Sequence, residues 1–263
     1  MTADDRVDTD TKRFATWAQR ARESAGTPAI PAATVVVLRD TPEGPSTLML
    51  RKNSRIAFGG MWVFPGGRID KADHVNLASE PPDELAAAQA AAAREANEEA
   101  SLHLDPGAMV LFSHWLPPEI APKRYATWFF AVAVDRSAVT IDDGEIVDHQ
   151  WMTPAEAIAR HHDGEIELVP PTWVTLHTIS GFDTVDAVLE SLRRRPPRHY
   201  ETRIAMTAAG PVAMWGGDAG YATNDAGVAG PRHRLEMFKD GYVYDDSGAT
   251  NDSTHASGVG GSA

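Results

Sequence analysis

Three glutamates, Glu95, Glu98 and Glu99, stand close together in the run Arg94-Glu-Ala-Asn-Glu-Glu-Ala-Ser-Leu102. On a helix these positions are i, i+3 and i+4, so the three carboxylates share one face. Like charges this close repel unless a cation sits among them. Hard oxygen ligands in such a cluster suit Mg²⁺ or Mn²⁺, which take carboxylates, waters and substrate phosphates. A charge run on an alanine-rich helix is more often a solvated face, and the glutamates alone would be read that way. The loop upstream, Phe64-Pro-Gly-Gly67, shifts the balance. Its glycines let backbone groups approach a ligand without side-chain obstruction.

Loop and helix together resemble the Nudix family, whose box reads G-x5-E-x7-R-E-U-x-E-E-x-G-U, with U aliphatic. Phe64 to Gly67 is similar to the opening of that box, and Arg94 to Leu102 to its closing half. The sequence departs from the pattern in two places. Between Gly67 and Arg94 lie 26 residues where the box has 13, an insertion of 13. Counted back from Arg94, the isolated Glu of the box falls on Ala86, with Asp83 or Glu84 as candidates to replace it, and the late Gly of the box is Ser101. The resemblance implies that Glu98 and Glu99 ligate Mg²⁺ (or Mn²⁺), helped by the Gly66 carbonyl. Glu95 would bind a metal or orient the attacking water, and Arg94 would hold the carboxylates in place. Gly66 and Gly67 would also line the substrate. A further acid from a later loop commonly completes such sites; Glu145 is the candidate, with Asp142 and Asp143 competing. The implied activity is metal-dependent hydrolysis of a diphosphate linkage in a nucleotide-containing small molecule. The sequence has no serine nucleophile elbow or Walker loop to suggest a different chemistry.

Within the family, the insertion and the stretch Leu50-Arg-Lys-Asn-Ser-Arg55, leading to Gly60-x3-Phe64-Pro-Gly-Gly67, most resemble the coenzyme A diphosphatases. The spacing from Arg55 to Gly60 is one residue longer than in that signature. The segment Pro122-Lys-Arg-Tyr-Ala-Thr-Trp-Phe-Phe130 is similar to the basic, aromatic strand those enzymes carry after the box. Arg51, Lys52, Arg55, Lys123 and Arg124 could pair with the 3′-phosphate of coenzyme A, or be surface charge at strand edges. Trp62, Trp128 and Phe129 could stack on a base, although aromatics in strands more often belong to the core. The expected products are 4′-phosphopantetheine and adenosine 3′,5′-bisphosphate. Two rivals stay open: a diphosphatase for ADP-ribose, NADH or a related dinucleotide, and a binding or regulatory domain that has lost turnover.

The elements that must position these residues read as follows. Thr11 to Ser24 puts Phe14, Trp17, Ala18 and Ala21 on one face of a short helix. The β-branched run Ala32 to Leu38 is a buried strand, paired with Thr47 to Leu50 across a turn. Asp83 to Ala100 is a helix beginning after Pro81-Pro82. Strands follow at Leu111 to Leu116, Tyr125 to Val134 and Ile146 to Met152, then a helix at Pro154 to Arg160 capped by Thr153. His161-His162 before Asp163-Gly164 reads as a loop. Pro170-Pro171 precedes a helical region ending near Arg193 to Arg195. Short strands follow in Tyr200 to Trp215 and Leu235 to Tyr244, with a hairpin at Asp240-Gly241. The predicted fold is α/β (α+β), a Nudix α/β/α sandwich around a mixed β-sheet with a C-terminal β-rich extension. Its expected divisions are an N-terminal helical segment at 1–29, a hydrolase domain at 30–195, the extension at 196–245 and a disordered tail at 246–263.

Composition narrows the partners. The formal net charge is −13 over 263 residues. Nucleic-acid coats and binders of anionic membranes rely on surplus Lys and Arg, so neither partner is expected. A bound divalent ion and a few placed basic groups can still reverse the field locally for an anionic small substrate. The absence of cysteine excludes disulfides, thiolate nucleophiles and Cys-type metal sites. The acidic start is unlike a secretory signal, and the apolar stretches are strand-length, so a cytoplasmic enzyme is the expectation. Homodimerisation is an open expectation of the resemblance.

Overall fold

The computed structural model describes residues 10–16, 27–53, 59–74, 83–135, 138–141 and 144–249. A helical segment at 10–16 (α1) precedes β1 (Ala29–Thr41), β2 (Gly44–Lys52), β3 (Trp62–Val63) and β4 (Gly66–Arg68). The helices α2 (Lys71–His74) and α3 (Glu84–Ala100) come next, followed by β5 (Val110–Leu116), β6 (Arg124–Ala133) and β7 (Ile146–Met152). Then α4 (Pro154–His162), α5 (Pro170–Thr178) and α6 (Val185–Arg193) lead to β8 (Arg198–Glu201). Last are β9 (Arg203–Thr207), β10 (Gly210–Met214), β11 (Arg234–Phe238) and β12 (Gly241–Asp245).

The strands β3-β2-β1-β6-β5-β8 form a mixed sheet, with β4 paired to β1 and β7 to β2. The β1–β6 and β5–β8 pairs are parallel and the others antiparallel. β1 reads as a continuous apolar run because both of its faces are covered. Ala33, Val35 and Val37 meet the small side chains Ala88, Ala91, Ala92 and Ala96 of α3. Val36 and Leu38 face the other way, into a core with Trp173, Val174 and Leu176 of α5 and Val188, Leu189 and Leu192 of α6. Alanine on the inner face of α3 lets helix and sheet approach closely. Asp83 caps α3, its carboxylate accepting from the Leu85 and Ala86 amides at 3.0 and 3.1 Å. At the other end Ser101 sits in the left-handed region (φ 56°), its amide bonded to the Asn97 carbonyl.

Several elements differ from the sequence expectations. Pro170 and Pro171 lie inside the first turn of α5, where a missing amide costs little, and the expected single helical region divides into α5 and α6. His161 belongs to the last turn of α4; it is buried, with its Nδ1 3.2 Å from the Ile166 carbonyl. β8 lies beyond residue 195 yet completes the main sheet against β5, with Trp115 and Tyr200 stacked at 3.8 Å. The strands β12-β11-β10-β9 form a separate antiparallel sheet whose Ile204, Ala213, Leu235 and Met237, with Trp215 just after β10, join the main core. A buried pair, Arg234 with Asp218, holds its long loop through two bonds of 2.7 Å. Asp246 accepts from Arg198 at 2.8 Å and the Gly248 amide donates to the Arg232 carbonyl, so 246–249 is part of this arrangement. Trp17, Ala18, Ala21, Arg55, Asp142, Asp143 and residues 250–263 lie outside the described residues. Among the described residues no helix is long and apolar enough to cross a membrane.

Left-handed backbone at a residue with a Cβ costs roughly 1–2 kcal/mol. Ser101→Gly should therefore raise unfolding stability by about 1 kcal/mol, less whatever the Ser101 hydroxyl gains by donating to the Thr140 carbonyl at 3.1 Å. Chemical denaturation checks this; a lower midpoint would show the hydroxyl bond to be the larger effect.

Candidate active site

The glycine loop and α3 meet because β4 pairs antiparallel with β1, Thr34 opposite Gly66 and Ala33 opposite Gly67. A Cβ on Gly66 would fall onto the Thr34 hydroxyl and the Ala33 carbonyl, and one on Gly67 would fall inside the Glu95 carboxylate. The glycines are thus required by the chain's own close packing. The Gly66 amide donates to Glu99 Oε2 at 3.0 Å.

Arg94 organises the rest. Its Nη1 donates to Glu95 Oε1 and to Glu98 Oε2, each at 3.0 Å, and its Nη2 to the Arg68 carbonyl at 2.9 Å. Its Nε and Nη2 also grip both oxygens of Asp73, at 3.0 and 3.1 Å. Asp73 is buried and accepts a further bond of 2.7 Å from the Asp70 amide. Burial works against its charge, but the Arg94 bonds and that amide win and lower its pKa. The bonds to Asp73, against some burial, raise that of Arg94.

Asp73 therefore stands where the isolated Glu of the box was expected. Asp83 is committed to the helix cap, and Glu84 begins α3 beside it, so neither serves. The signal was present in the sequence. Counted forward from Gly67, five residues lead to Asp73. The insertion of 13 lies between Asp73 and Arg94, so counting back from Arg94 landed on Ala86.

Lys52 is a correction of a different kind. It was expected as a contact for substrate phosphate, but its side chain is only 9% exposed and faces α3. Its Nζ donates to Glu99 Oε1 at 2.5 Å and to Glu145 Oε1 at 2.9 Å. Burial disfavours its charge, yet Glu99 and Glu145 outweigh that and its pKa is raised. Glu99 is pushed up to about 7 by burial, more than Lys52 and the Gly66 amide offset. Burial raises Glu95 as well, against the pull of Arg94. Glu98 is the accessible member, with 56% of its side chain exposed. Glu95, Glu98, Glu99 and Glu145 are thus brought together near one end of α3 through Arg94 and Lys52.

This donor set fits Mg²⁺ or Mn²⁺: it is all oxygen, carboxylate-rich, and Glu98 opens it to water. Among the described residues no three acidic or histidine side chains already converge into a cage. Each carboxylate instead turns an oxygen to Arg94 or Lys52.

The remaining basic candidates separate. Arg51 lies on the opposite face of β2 from Lys52 and lines a cleft of about 330 Å³ with Trp62, Asp148, Gln150, Arg160, Glu165 and Glu167. Arg124 is instead a structural clamp, donating to the Pro117 and Thr27 carbonyls at 3.0 Å each. The Lys123 ammonium sits over the Tyr125 ring at 5.4 Å. Of the aromatic candidates, Trp62 and Phe129 are core, whereas Trp128 packs on His114 at 4.4 Å.

The NUDIX domain profile matches residues 29–171, more than half of the chain, and the protein belongs to the Nudix family. Its fold is similar to a NUDIX hydrolase from Alicyclobacillus acidocaldarius, with a TM-score of 0.57 and 20% identity over 64% of this chain and 98% of that one. More distant likenesses include the NUDIX domain of Shewanella oneidensis NrtR, solved with ADP ribose (TM-score 0.44, 14% identity, 61% of this chain and 94% of that one). A C. elegans Ap4A hydrolase matches with a TM-score of 0.39 and 18% identity over 57% and 93% of the two chains.

If Asp73 anchors Arg94, Asp73→Ala should cut turnover about 10- to 100-fold, as loss of a supporting residue behind metal ligands does, with the circular dichroism spectrum unchanged. Asp83→Ala should cost about 0.5–2 kcal/mol of stability and leave turnover intact. The reverse pattern would return the role to Asp83.

Proposed function

We propose that this protein is a Mg²⁺- or Mn²⁺-dependent diphosphatase acting on coenzyme A or acyl-coenzyme A. The observation that carries the hydrolytic reading is the carboxylate group Glu95, Glu98, Glu99 and Glu145, held in fixed positions by two cations and a tight glycine loop. Glu98 and Glu99 would hold the ion, with the Gly66 carbonyl. Bound there, it would supply neutralisation of the diphosphate charge and a more acidic water.

The chain's own residues do the rest. Arg94 fixes the Glu95 and Glu98 carboxylates, so neither needs to reorganise when charge develops. Glu95, half-buried beside Gly67, orients the attacking water, and Glu145 at the rim accepts its proton. The water oxygen adds to one phosphorus, the bridging P–O bond breaks, and the second phosphate departs with the bond's electron pair. No covalent enzyme intermediate is required.

The coenzyme A reading rests on the stretch Leu50 to Arg55 ahead of Gly60 and the glycine loop, and on Arg51 lining the cleft, where it could pair with a 3′-phosphate. One feature of that cleft favours a second reading. Asp148, Glu165 and Glu167 line it too, and carboxylates accept from sugar hydroxyls but repel a phosphomonoester. ADP-ribose or a dinucleotide would suit that wall.

A Mg²⁺-dependent panel of coenzyme A, dephospho-coenzyme A, ADP-ribose and NADH separates these readings. Coenzyme A is expected to be preferred over its dephospho form, and Arg51→Ala should raise its KM about tenfold while sparing dephospho-coenzyme A. Glu98→Gln should remove Mg²⁺-dependent turnover with the fold intact. Preference for ADP-ribose or NADH would move the assignment to the second reading. Wild-type rates in Glu98→Gln would overturn the site, and no turnover of any substrate with metal bound would leave a binding domain.

A further inference from the structure

We propose that the N-terminal helix α1 belongs to the substrate site. Its Arg13 sets the charge of the cleft by neutralising Glu167 on the wall, so that the cleft accepts an anionic nucleotide. This rests on the reading above in which the cleft takes the nucleotide end of the substrate.

Arg13 lies on α1, before the first strand of the main sheet, yet it reaches the cleft wall. Its Nη2 donates to Glu167 Oε1, and its Nη1 donates to Asp10 Oδ1 at 3.1 Å. The other Asp10 oxygen accepts from the hydroxyl of Tyr242, on β12, at 2.5 Å. Phe14 is buried in the main core, so α1 is fixed through both an apolar and a polar contact. Glu167 is held in turn, its carbonyl accepting from the Trp62 amide at 3.0 Å. A chain of polar contacts therefore runs from the C-terminal sheet through α1 to the cleft. The side chains of Arg13 and Glu167 are 19% and 27% exposed, so solvent and salt screen this pair less than a surface ion pair.

The charges around the cleft give this contact its consequence. Arg51 and Arg160 line it with three acids, Asp148, Glu165 and Glu167, a balance that repels phosphate. Arg160 donates to Glu165 at 3.0 Å, which neutralises that acid. Arg13 does the same for Glu167 from behind the wall, and with it three cations meet three acids. Arg51 carries no ion pair among the described residues, which leaves its guanidinium for a phosphate. Removing one partner of a partly buried pair leaves the other charge uncompensated. Without Arg13, Glu167 would present a bare carboxylate to the ligand that Arg51 attracts. Arg13 is not itself a lining residue; it is a positioning residue that acts through Glu167.

The test measures binding rather than turnover. Full-length wild type, Arg13→Gln, Arg13→Lys, Glu167→Gln and the double variant Arg13→Gln/Glu167→Gln are titrated calorimetrically without divalent ion. The probes are adenosine 3′,5′-bisphosphate and AMP, which lacks the 3′-phosphate. Arg13→Gln should weaken binding of the bisphosphate about tenfold at low salt, and of AMP by less. The loss should shrink as salt rises, and Arg13→Lys should bind like wild type. The double variant should regain wild-type affinity, because it also removes the acid that Arg13 compensates; a helix merely propped by the ion pair would gain nothing from losing its second half. Unchanged affinity in Arg13→Gln overturns the inference and leaves the coenzyme A reading in place. A loss that the double variant does not restore overturns it as well. Equal wild-type affinity for the two probes removes the coenzyme A reading, and the effect of Arg13→Gln on AMP then decides the inference. Absence of any binding to wild type removes both. Should Arg13→Gln fail to fold, Glu167→Gln decides: it should bind the bisphosphate more tightly than wild type, and equal or weaker binding overturns the inference.

Discussion

The Arg94 guanidinium is the fixed point on which the rest of this protein depends. It gathers Asp73, Glu95, Glu98 and the Arg68 carbonyl from the strand, short helix and long helix that meet at one end of the sheet. A planar fork with five donors in fixed geometry serves all of these acceptors at once, more than the three donors of a lysine could. The consequence for chemistry is that acidic side chains which would otherwise repel are held close and aimed. The consequence for the fold is a strict demand on neighbours: Gly67 can carry no side chain, because the Glu95 carboxylate occupies that space.

The sheet divides the work between its faces. Lys52, Glu99 and the alanine face of α3 lie on one side, and Arg51, Trp62 and the cleft under α4 lie on the other. Because successive strand residues point to opposite faces, adjacent Arg51 and Lys52 serve different ends. One lines the cleft, and the other pairs with the buried Glu99 and the more exposed Glu145. A substrate reaching both regions would pass the edge of the sheet at β3. The C-terminal strands add to the same core through Trp215 and its neighbours, and Tyr200 stacks on Trp115, so the extension completes a sheet the hydrolase domain begins.

Much of this was legible in the sequence because local patterns carried it. β1 showed as an uninterrupted apolar run, α3 as an alanine-rich stretch with Asp83 before it, and the carboxylates by their helical spacing. Asp73 was missed because it lies 21 residues from Arg94 in the chain, across an insertion that hides the box when counted from the wrong end. Lys52 was misread since a basic residue beside Arg51 looks like surface charge, although Leu48, Leu50 and Lys52 alternate onto the buried face. Arg124 serves two backbone carbonyls that no sequence pattern marks. The β5–β8 pairing is parallel and distant in sequence, and its register follows from tertiary packing alone.

The most direct test of the account is anomalous scattering from crystals soaked in Mn²⁺. The account predicts a peak within coordination distance of the Glu98 carboxylate, on the open side of Arg94, with Asp73 still gripping the guanidinium. A peak elsewhere on the protein, or none at α3, would contradict the assignment of this carboxylate group as the metal centre.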